Sequence, residues 1–359
     1  MAYDLAAPKE GRSAGAVVRY VLGVAIGIGV LVVLFGQRGE LAAARHEVGH
    51  LDIAWMAAAV LAEGTSLAAF GLLQHRVLHL AGARVALPGL IALSLANEAI
   101  ANTVPAGPAL SCVYRYRHYR KRGASEASAG WTIFTVLIAQ AISMSLLLLV
   151  GVLVAMLASA SVRSAGIAAV GLVIILAAGA VLIRRDLVLR LVARLIRFSQ
   201  RVTGYPRAGA GARVETALAR MREIPLSPRS AASVILIAVV VWTCDFLCLL
   251  CAFGAVHAAV PWRGVLLAYG AAQVVGSLPL VPGGLGIIEG SLAVILTAYG
   301  TGHIPAISAA LAYRLVSFWL SVAVGWVAAA VIAYQVRRRP GPDPAPAAPG
   351  WPADQPPLP

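Results

Sequence analysis

The sequence is poor in charged residues, and poorest in acidic ones. Of its 359 residues 12% are charged, with 15 Asp and Glu against 29 Lys and Arg, whereas 60% are hydrophobic. One soluble core could not bury that much apolar surface. A soluble protein is therefore excluded, and the composition predicts an all-α polytopic membrane protein.

Signals for a cofactor are also missing. The chain has no Walker motif, so we expect no nucleotide hydrolysis and no cofactor. Its four cysteines lack the spacing of a disulfide framework. Three of them, Cys244, Cys248 and Cys251, fall within one predicted span, where small packing residues are commoner than thiolate ligands. We expect no metal site there.

Long apolar runs predict six membrane spans, because a helix needs about 20 apolar residues to cross the hydrocarbon. The first run lacks a convincing cleavage site after it and is interpreted as an uncleaved helix rather than a signal peptide. The six runs are 14–35, 51–73, 130–157, 165–183, 231–254 and 304–334.

Two further apolar segments, 86–110 and 263–299, are interrupted by proline and glycine. The first breaks at Pro105 and Gly107, and it is too short for two crossings of about 30 Å of hydrocarbon. We therefore expect a re-entrant helical hairpin. The second, longer segment is either a similar hairpin or two short paired spans, so that the chain crosses six or eight times.

The excess of positive charge follows the positive-inside rule better than it fits a nucleic-acid-binding protein. If the N-terminus is cytoplasmic and each hairpin enters and leaves on the same face of the membrane, most Lys and Arg fall in cytoplasmic segments. Both termini are then cytoplasmic, and the protein is predicted to lie in the bacterial inner (cytoplasmic) membrane. The arginines left outside are Arg38, Arg45, Arg163 and Arg263.

These segments divide the chain into five regions. They are a cytoplasmic N-terminus (1–13), a first membrane half (14–183), a basic cytoplasmic loop (184–229), a second membrane half (230–336) and a proline-rich tail (337–359). The tail is expected to be disordered. The loop carries arginines at helical spacing, which predicts an interfacial helix that attracts anionic lipids; a solvated loop without a specific ligand is the alternative. These arginines are Arg190, Arg194, Arg197 and Arg201.

The two membrane halves have the same predicted order of span, hairpin and span, but run in opposite directions. Asn97 precedes Pro105 by eight residues, and Gln273 precedes Pro282 by nine. Such an order is typical of the inverted repeats of secondary transporters. A chance similarity between two Pro-Gly breaks is the alternative.

The break in the second hairpin is the most informative feature of the sequence. It is formed by Pro279, Pro282, Gly283, Gly284 and Gly286. These residues remove backbone donors or favour non-helical dihedrals at a depth where lipid offers no hydrogen-bonding partner. The break predicts a cavity or transport path with Glu289 as its ionisable member and Arg314 as the partner of Glu289. A purely structural ion pair is the alternative.

Four more polar residues are candidates for a substrate path or for ion coupling. Asn97 and Glu98 precede the first break and could contact a head group or carry a proton, or simply bond freed backbone groups. Arg115 could bind a phosphate bidentately or act as a positive-inside anchor. Asp245 is an acid within a predicted span.

Residues 46–50 read His-Glu-Val-Gly-His, the pattern of a zinc protease. His46 and His50 would bind the metal and Glu47 would activate water. The motif lies in a short loop between two spans, and no third ligand is placed near it, since Asp52 is too close in sequence. A membrane metalloprotease is the least favoured interpretation.

At these motifs the chain resembles the lysylphosphatidylglycerol synthase transmembrane-domain family, also called YbhN-like membrane proteins. The best match is Pro282-Gly-Gly-Leu-Gly-Ile-Ile-Glu289 with Tyr313-Arg-Leu-Val-Ser-Phe-Trp319, and a looser one runs from Asn97 to Tyr116. The resemblance implies a lipid-flippase-like module, which full-length synthases fuse to a soluble aminoacyl-transferase domain. Only the proline-rich tail follows the last span here, so we do not expect this chain to aminoacylate lipids.

Together these features predict a lipid or lipid-linked-glycan flippase or transporter rather than an enzyme. An ion gradient or a partner would energise it, with Glu289, Glu98 or Asp245 as the coupling group. The alternative is a non-catalytic accessory subunit of an envelope or glycosylation complex. The expected partners are membrane lipids, anionic ones at the basic loop, and an envelope-biosynthesis protein; nucleic acid is not expected.

Overall fold

The computed structural model describes residues 51–104, 107–158, 227–277 and 282–338, and all regular structure in these segments is helical. Several predictions lie outside the described residues. They are the spans 14–35 and 165–183, the basic helix at 190–201, the tail beyond 338, the motif at 46–50, and the residues Pro105 and Pro279.

Among the described residues, four helices are long and apolar enough to cross a membrane. They occupy the predicted spans 51–73, 130–157, 231–254 and 304–334. The first three are α1 (Ile53–Leu80), α4 (Glu126–Ala158) and α5 (Pro228–Ala255). The fourth consists of α8 (His303–Arg314), a π-helical turn (Leu315–Leu320) and α9 (Ser321–Arg338).

In the described segments, four shorter helices form two helix–break–helix units. The helices are α2 (Leu87–Thr103), α3 (Gly107–Lys121), α6 (Val265–Gly276) and α7 (Ile287–Ala298). The second unit lies within the predicted segment 263–299, whereas the first continues past its predicted end at residue 110 to Lys121 and buries Arg115. Helices α6 and α7 have 12 residues each. At 1.5 Å per residue, each is about 18 Å long and falls short of the ~30 Å hydrocarbon layer. The two members of each unit pack against each other, as in a hairpin.

The first unit reverses its direction at Gly107. The backbone N–H of Gly107 donates to the carbonyl oxygen of Val104 at 2.7 Å. A Cβ atom at Gly107 would stand 2.2 Å from the carbonyl oxygen of Ala101. Only glycine lets the chain return this closely.

Within the described residues the helices appear twice in the order long, short, short, long, but the two sets are interleaved. Helix α1 packs mainly along α5, and α2 packs mainly along α9. In the first contact the Ser66 hydroxyl donates to the carbonyl oxygen of Val241 at 3.0 Å. In the second, a Cβ atom at Gly325 would stand 2.4 Å from the carbonyl oxygen of Leu95, so the two backbones nearly touch.

Candidate functional site

The second break is a tight turn at Pro282–Gly284 that leads into α7. Gly283, Gly284 and Gly286 have φ angles of 64°, 62° and 79°. This left-handed region suits glycine, because a Cβ atom costs about 1–2 kcal/mol there. A Cβ atom at Gly283 would also stand 2.2 Å from the ring of Phe318. The backbone φ angles and the packing against Phe318 therefore both require glycine at the turn.

Arg314 holds this turn in place. Its Nε donates to Oε1 of Glu289 at 2.7 Å, and its Nη2 donates to the carbonyl oxygen of Gly283 at 2.7 Å. The other carboxylate oxygen of Glu289 accepts the backbone N–H of Gly286 at 2.7 Å. The guanidinium also lies 4.5 Å from the centre of the Phe318 ring. The pair thus binds backbone groups that the break removes from helical hydrogen bonding.

The first break meets the second. The carbonyl oxygen of Asn102, near the end of α2, lies 3.1 Å from the position that a Cβ atom of Gly283 would occupy. One turn earlier, Glu98 accepts a hydrogen bond from the Asn102 side chain at 2.6 Å. The charge of Arg314 acts on the Glu98 carboxyl. The ends of two interrupted helices and three charged side chains, Glu98, Glu289 and Arg314, are therefore close together.

Two buried polar side chains of the first unit have unused hydrogen-bonding atoms. Asn97 is 4% exposed, and its Oδ1 has no hydrogen-bond partner among the residues that the structure describes. Arg115 is 5% exposed, and within the described segments its Nε has none either. The guanidinium of Arg115 lies 5.8 Å from the Phe70 ring centre, and its Nη2 reaches only the Cys112 sulfur, at 3.7 Å. Across the described part of the chain, no carboxylate forms an ion pair with Arg115.

Asp245 is the centre of a second hydrogen-bonded cluster, between α5, α6 and α8. Its Oδ2 accepts from the Tyr269 hydroxyl at 2.6 Å and from Nε2 of Gln273 at 2.8 Å. The Tyr313 hydroxyl donates to its Oδ1 at 3.0 Å. All three donors point at one buried acid, and a carboxylate has room for about one more.

Glu63 of α1 adds a second acid to this cluster. Glu63 is 8% exposed, and its carboxyl interacts electrostatically with those of Asp245 and Glu98. The Ser321 hydroxyl lies 3.5 Å from Oε1 of Glu63, and no described group donates to the buried Oε2. Sequence reasoning missed this residue, although a glutamate eleven residues into a 28-residue apolar helix is a detectable signal.

The sequence matches the family model described as lysylphosphatidylglycerol synthase TM region over residues 20–325. The chain belongs to this family. No curated protein matches the sequence. As a member of the lysylphosphatidylglycerol synthase TM-region family, with long apolar helices, the chain is an integral membrane protein.

In this family member, most of the predicted site residues lie in one connected interior region. Glu98, Glu289 and Arg314 surround the two breaks, and the charges of Arg115 and Asp245 both act on Glu98. Asn97 is buried on the same helix, but no described contact joins it to the others. The described segments contain no group of three or more His, Cys, Asp or Glu that could hold a metal ion.

Proposed function

We propose that the protein moves a lipid or a lipid-linked glycan between the leaflets of the bacterial cytoplasmic membrane, with both termini cytoplasmic and without nucleotide hydrolysis. The contact between the two helix breaks carries this proposal. Interrupted helices that meet near the middle of a membrane protein are the usual site of transport in secondary transporters. Membership of the lysylphosphatidylglycerol synthase TM-region family supports a membrane-lipid role.

The charges around the breaks suit an amphiphile whose head group must pass through apolar surroundings. A polar interior lets the head group exchange water for protein hydrogen bonds, while its acyl chains stay in lipid. Arg115 offers such a contact, because it is buried and has no carboxylate partner among the described residues. Its planar guanidinium can bind a phosphate through two parallel hydrogen bonds. We therefore assign Arg115 to an anionic head group.

Purified protein in liposomes tests this proposal. Fluorescent phospholipid or polyprenyl phosphate should cross the bilayer faster than in empty vesicles. Arg115→Gln should slow the anionic lipids, whereas Arg117→Gln, on the exposed side of the same helix, should not. If wild-type vesicles behave like empty ones, the flippase proposal is wrong. If the two variants behave alike, the assignment of Arg115 is wrong.

A second candidate is an accessory subunit whose broken helices serve only packing. The Glu289–Arg314 pair favours it, because the two side chains satisfy each other and the backbone of the turn. Glu289→Gln separates the candidates. A transport role predicts slower lipid movement in protein that is still folded, whereas a packing role predicts a loss of stability with unchanged movement in the folded fraction.

A further inference from the structure

We propose that Glu63 and Asp245 form a proton-binding carboxyl pair, with the proton on Glu63, and that this proton couples lipid movement to the ion gradient. The proton site rests on the contacts of the two side chains. Its coupling to lipid movement rests in addition on the proposed function.

The donors around Asp245 identify it as the ionised member. The Gln273 amide nitrogen can only donate, and it lies 2.8 Å from Oδ2. The hydroxyls of Tyr269 and Tyr313 add bonds of 2.6 and 3.0 Å. Three donors directed at one carboxyl stabilise its negative charge.

Glu63 has the opposite surroundings. Among the described residues, only the Ser321 hydroxyl, 3.5 Å from Oε1, can donate to Glu63, and Oε2 is buried without a donor. Its other side-chain contact is with the Asp245 carboxyl. A buried carboxylate with so few donors is destabilised, because it has lost its water without a full set of hydrogen bonds in return. A protonated Glu63 avoids this cost, because its hydroxyl can donate to the neighbouring Asp245 carboxylate.

Among the described residues, the largest effects of neighbouring charges on Glu63 come from acids. These acids are Asp245 of α5 and Glu98 of α2, and Glu63 in turn acts on Cys244 and Cys248 of α5 and on Tyr313 of α8. Arg314 acts on Asp245, and both Arg115 and Arg314 act on Glu98; the guanidinium of Arg314 is bonded to Glu289. Loss of the Glu63 proton would therefore place two carboxylates side by side, which repel each other.

The pair is better suited to a proton than to a metal ion. Metal ions require several oxygen, nitrogen or sulfur ligands around one point. The described segments contain no such group of three or more His, Cys, Asp or Glu. A proton needs only the two carboxyls.

A π-helical turn connects this pair to the helix breaks. The turn Leu315–Leu320 has Arg314 directly before it and Ser321 directly after it. Arg314 bonds the second break, and Ser321 contacts Glu63. π-Helical turns are rare and are frequent at functional sites. A change in the protonation of Glu63 would therefore reach the break through a single helix.

Carbodiimide labelling tests the proton site. Dicyclohexylcarbodiimide adds to protonated carboxyls in apolar surroundings, and mass spectrometry locates the adduct. At neutral pH we expect Glu63 to be labelled and Asp245 not. Above the titration point, labelling of Glu63 should fall about tenfold per pH unit, since only the protonated form reacts. Glu126, an exposed glutamate with a 53% exposed side chain, is the unlabelled control.

Tyr313→Phe gives a second readout that does not change either acid. It removes one donor from Asp245, so label should begin to appear on Asp245. An unlabelled Glu63 at neutral pH, or labelling of Glu63 no greater than that of Glu126, overturns the proton site. Equal labelling of both acids in the wild type also overturns it.

Liposomes with a pH gradient test the coupling separately. Lipid movement should depend on the direction of the gradient in the wild type but not in Glu63→Gln. If the rate of lipid movement in the wild type does not depend on the pH gradient, the proposed coupling is wrong, whatever the labelling shows. If lipid moves under no condition, the proposed function fails, while the labelling result still decides the proton site.

Discussion

The Glu289–Arg314 pair is predicted to be the strongest side-chain contribution to the stability of the second break. Their Nε–Oε1 distance is 2.7 Å, and the two side chains are 8% and 14% exposed. Removing one partner of a buried pair costs about 3–5 kcal/mol, because the other charge is left unpaired. Each remaining residue keeps a backbone contact, at Gly283 or Gly286. We therefore expect about 3 kcal/mol for Arg314→Gln and for Glu289→Gln.

The double variant should be far less unstable than the sum of the singles. It leaves no unpaired charge, so we expect a coupling energy of about 2–3 kcal/mol, near the upper end for residues in contact. The measurement is unfolding by sodium dodecyl sulfate in mixed micelles, followed by loss of helical circular dichroism. If the stability losses of the two single variants sum to that of the double variant within about 0.5 kcal/mol, the two residues do not act as a pair.

The exposed pair Arg120–Glu126 is the matched control for this cycle. Its atoms are 3.8 Å apart, and its side chains are 41% and 53% exposed. Exposed pairs contribute about 0–1 kcal/mol, so the same substitutions there should show little coupling. A coupling as large as that of the buried pair would mean that the assay does not report on the break.

Three further predictions concern other parts of the fold. Gly325→Ala should lower the unfolding free energy by about 1–3 kcal/mol, because its Cβ would stand 2.4 Å from the Leu95 carbonyl oxygen. Gly290→Ala is the control, because a Cβ atom there would meet open space. Equal effects of the two substitutions would contradict the close approach of α2 and α9. Gly283→Ala should cost at least the ~1–2 kcal/mol of its left-handed φ, and a wild-type melting temperature would show that the turn is not under this constraint. Burial, and then the charges of Arg122 and Lys121, lower the pKa of His118 to about 4. The unfolded chain, with a histidine pKa near 6.5, then binds more protons, so stability should fall as the pH drops from about 6.5 to 4. His118→Gln should flatten that part of the pH profile of melting, and an unchanged profile would contradict the assignment.

The helix order and the positions of both breaks could be predicted because their causes are local. Proline removes a backbone donor wherever it stands, and glycine accepts a positive φ without help from tertiary contacts. The pairing of Glu289 with Arg314 was also predictable, since two opposite charges in apolar sequence are strongly favoured to meet.

Other features depend on tertiary packing that no local pattern encodes. The predicted end of the first described span at residue 73 was early, because α1 continues to Leu80. The next residue, Gln74, is polar but buried; its amide donates to Ser94 at 2.7 Å and accepts from Tyr119. The tyrosines around Asp245 look like ordinary aromatic residues of apolar helices until α6 and α8 are placed beside α5.

The interleaved packing of the two halves has a consequence for how the chain is made. Helix α2 carries Asn97, Glu98 and Asn102, yet its main packing partner is α9, the last helix that the structure describes. During synthesis, the helix that carries these polar groups therefore lacks its main packing partner until α9 has left the ribosome. Neither half can complete its interior by itself, and two halves expressed as separate chains would have to find each other before either is finished.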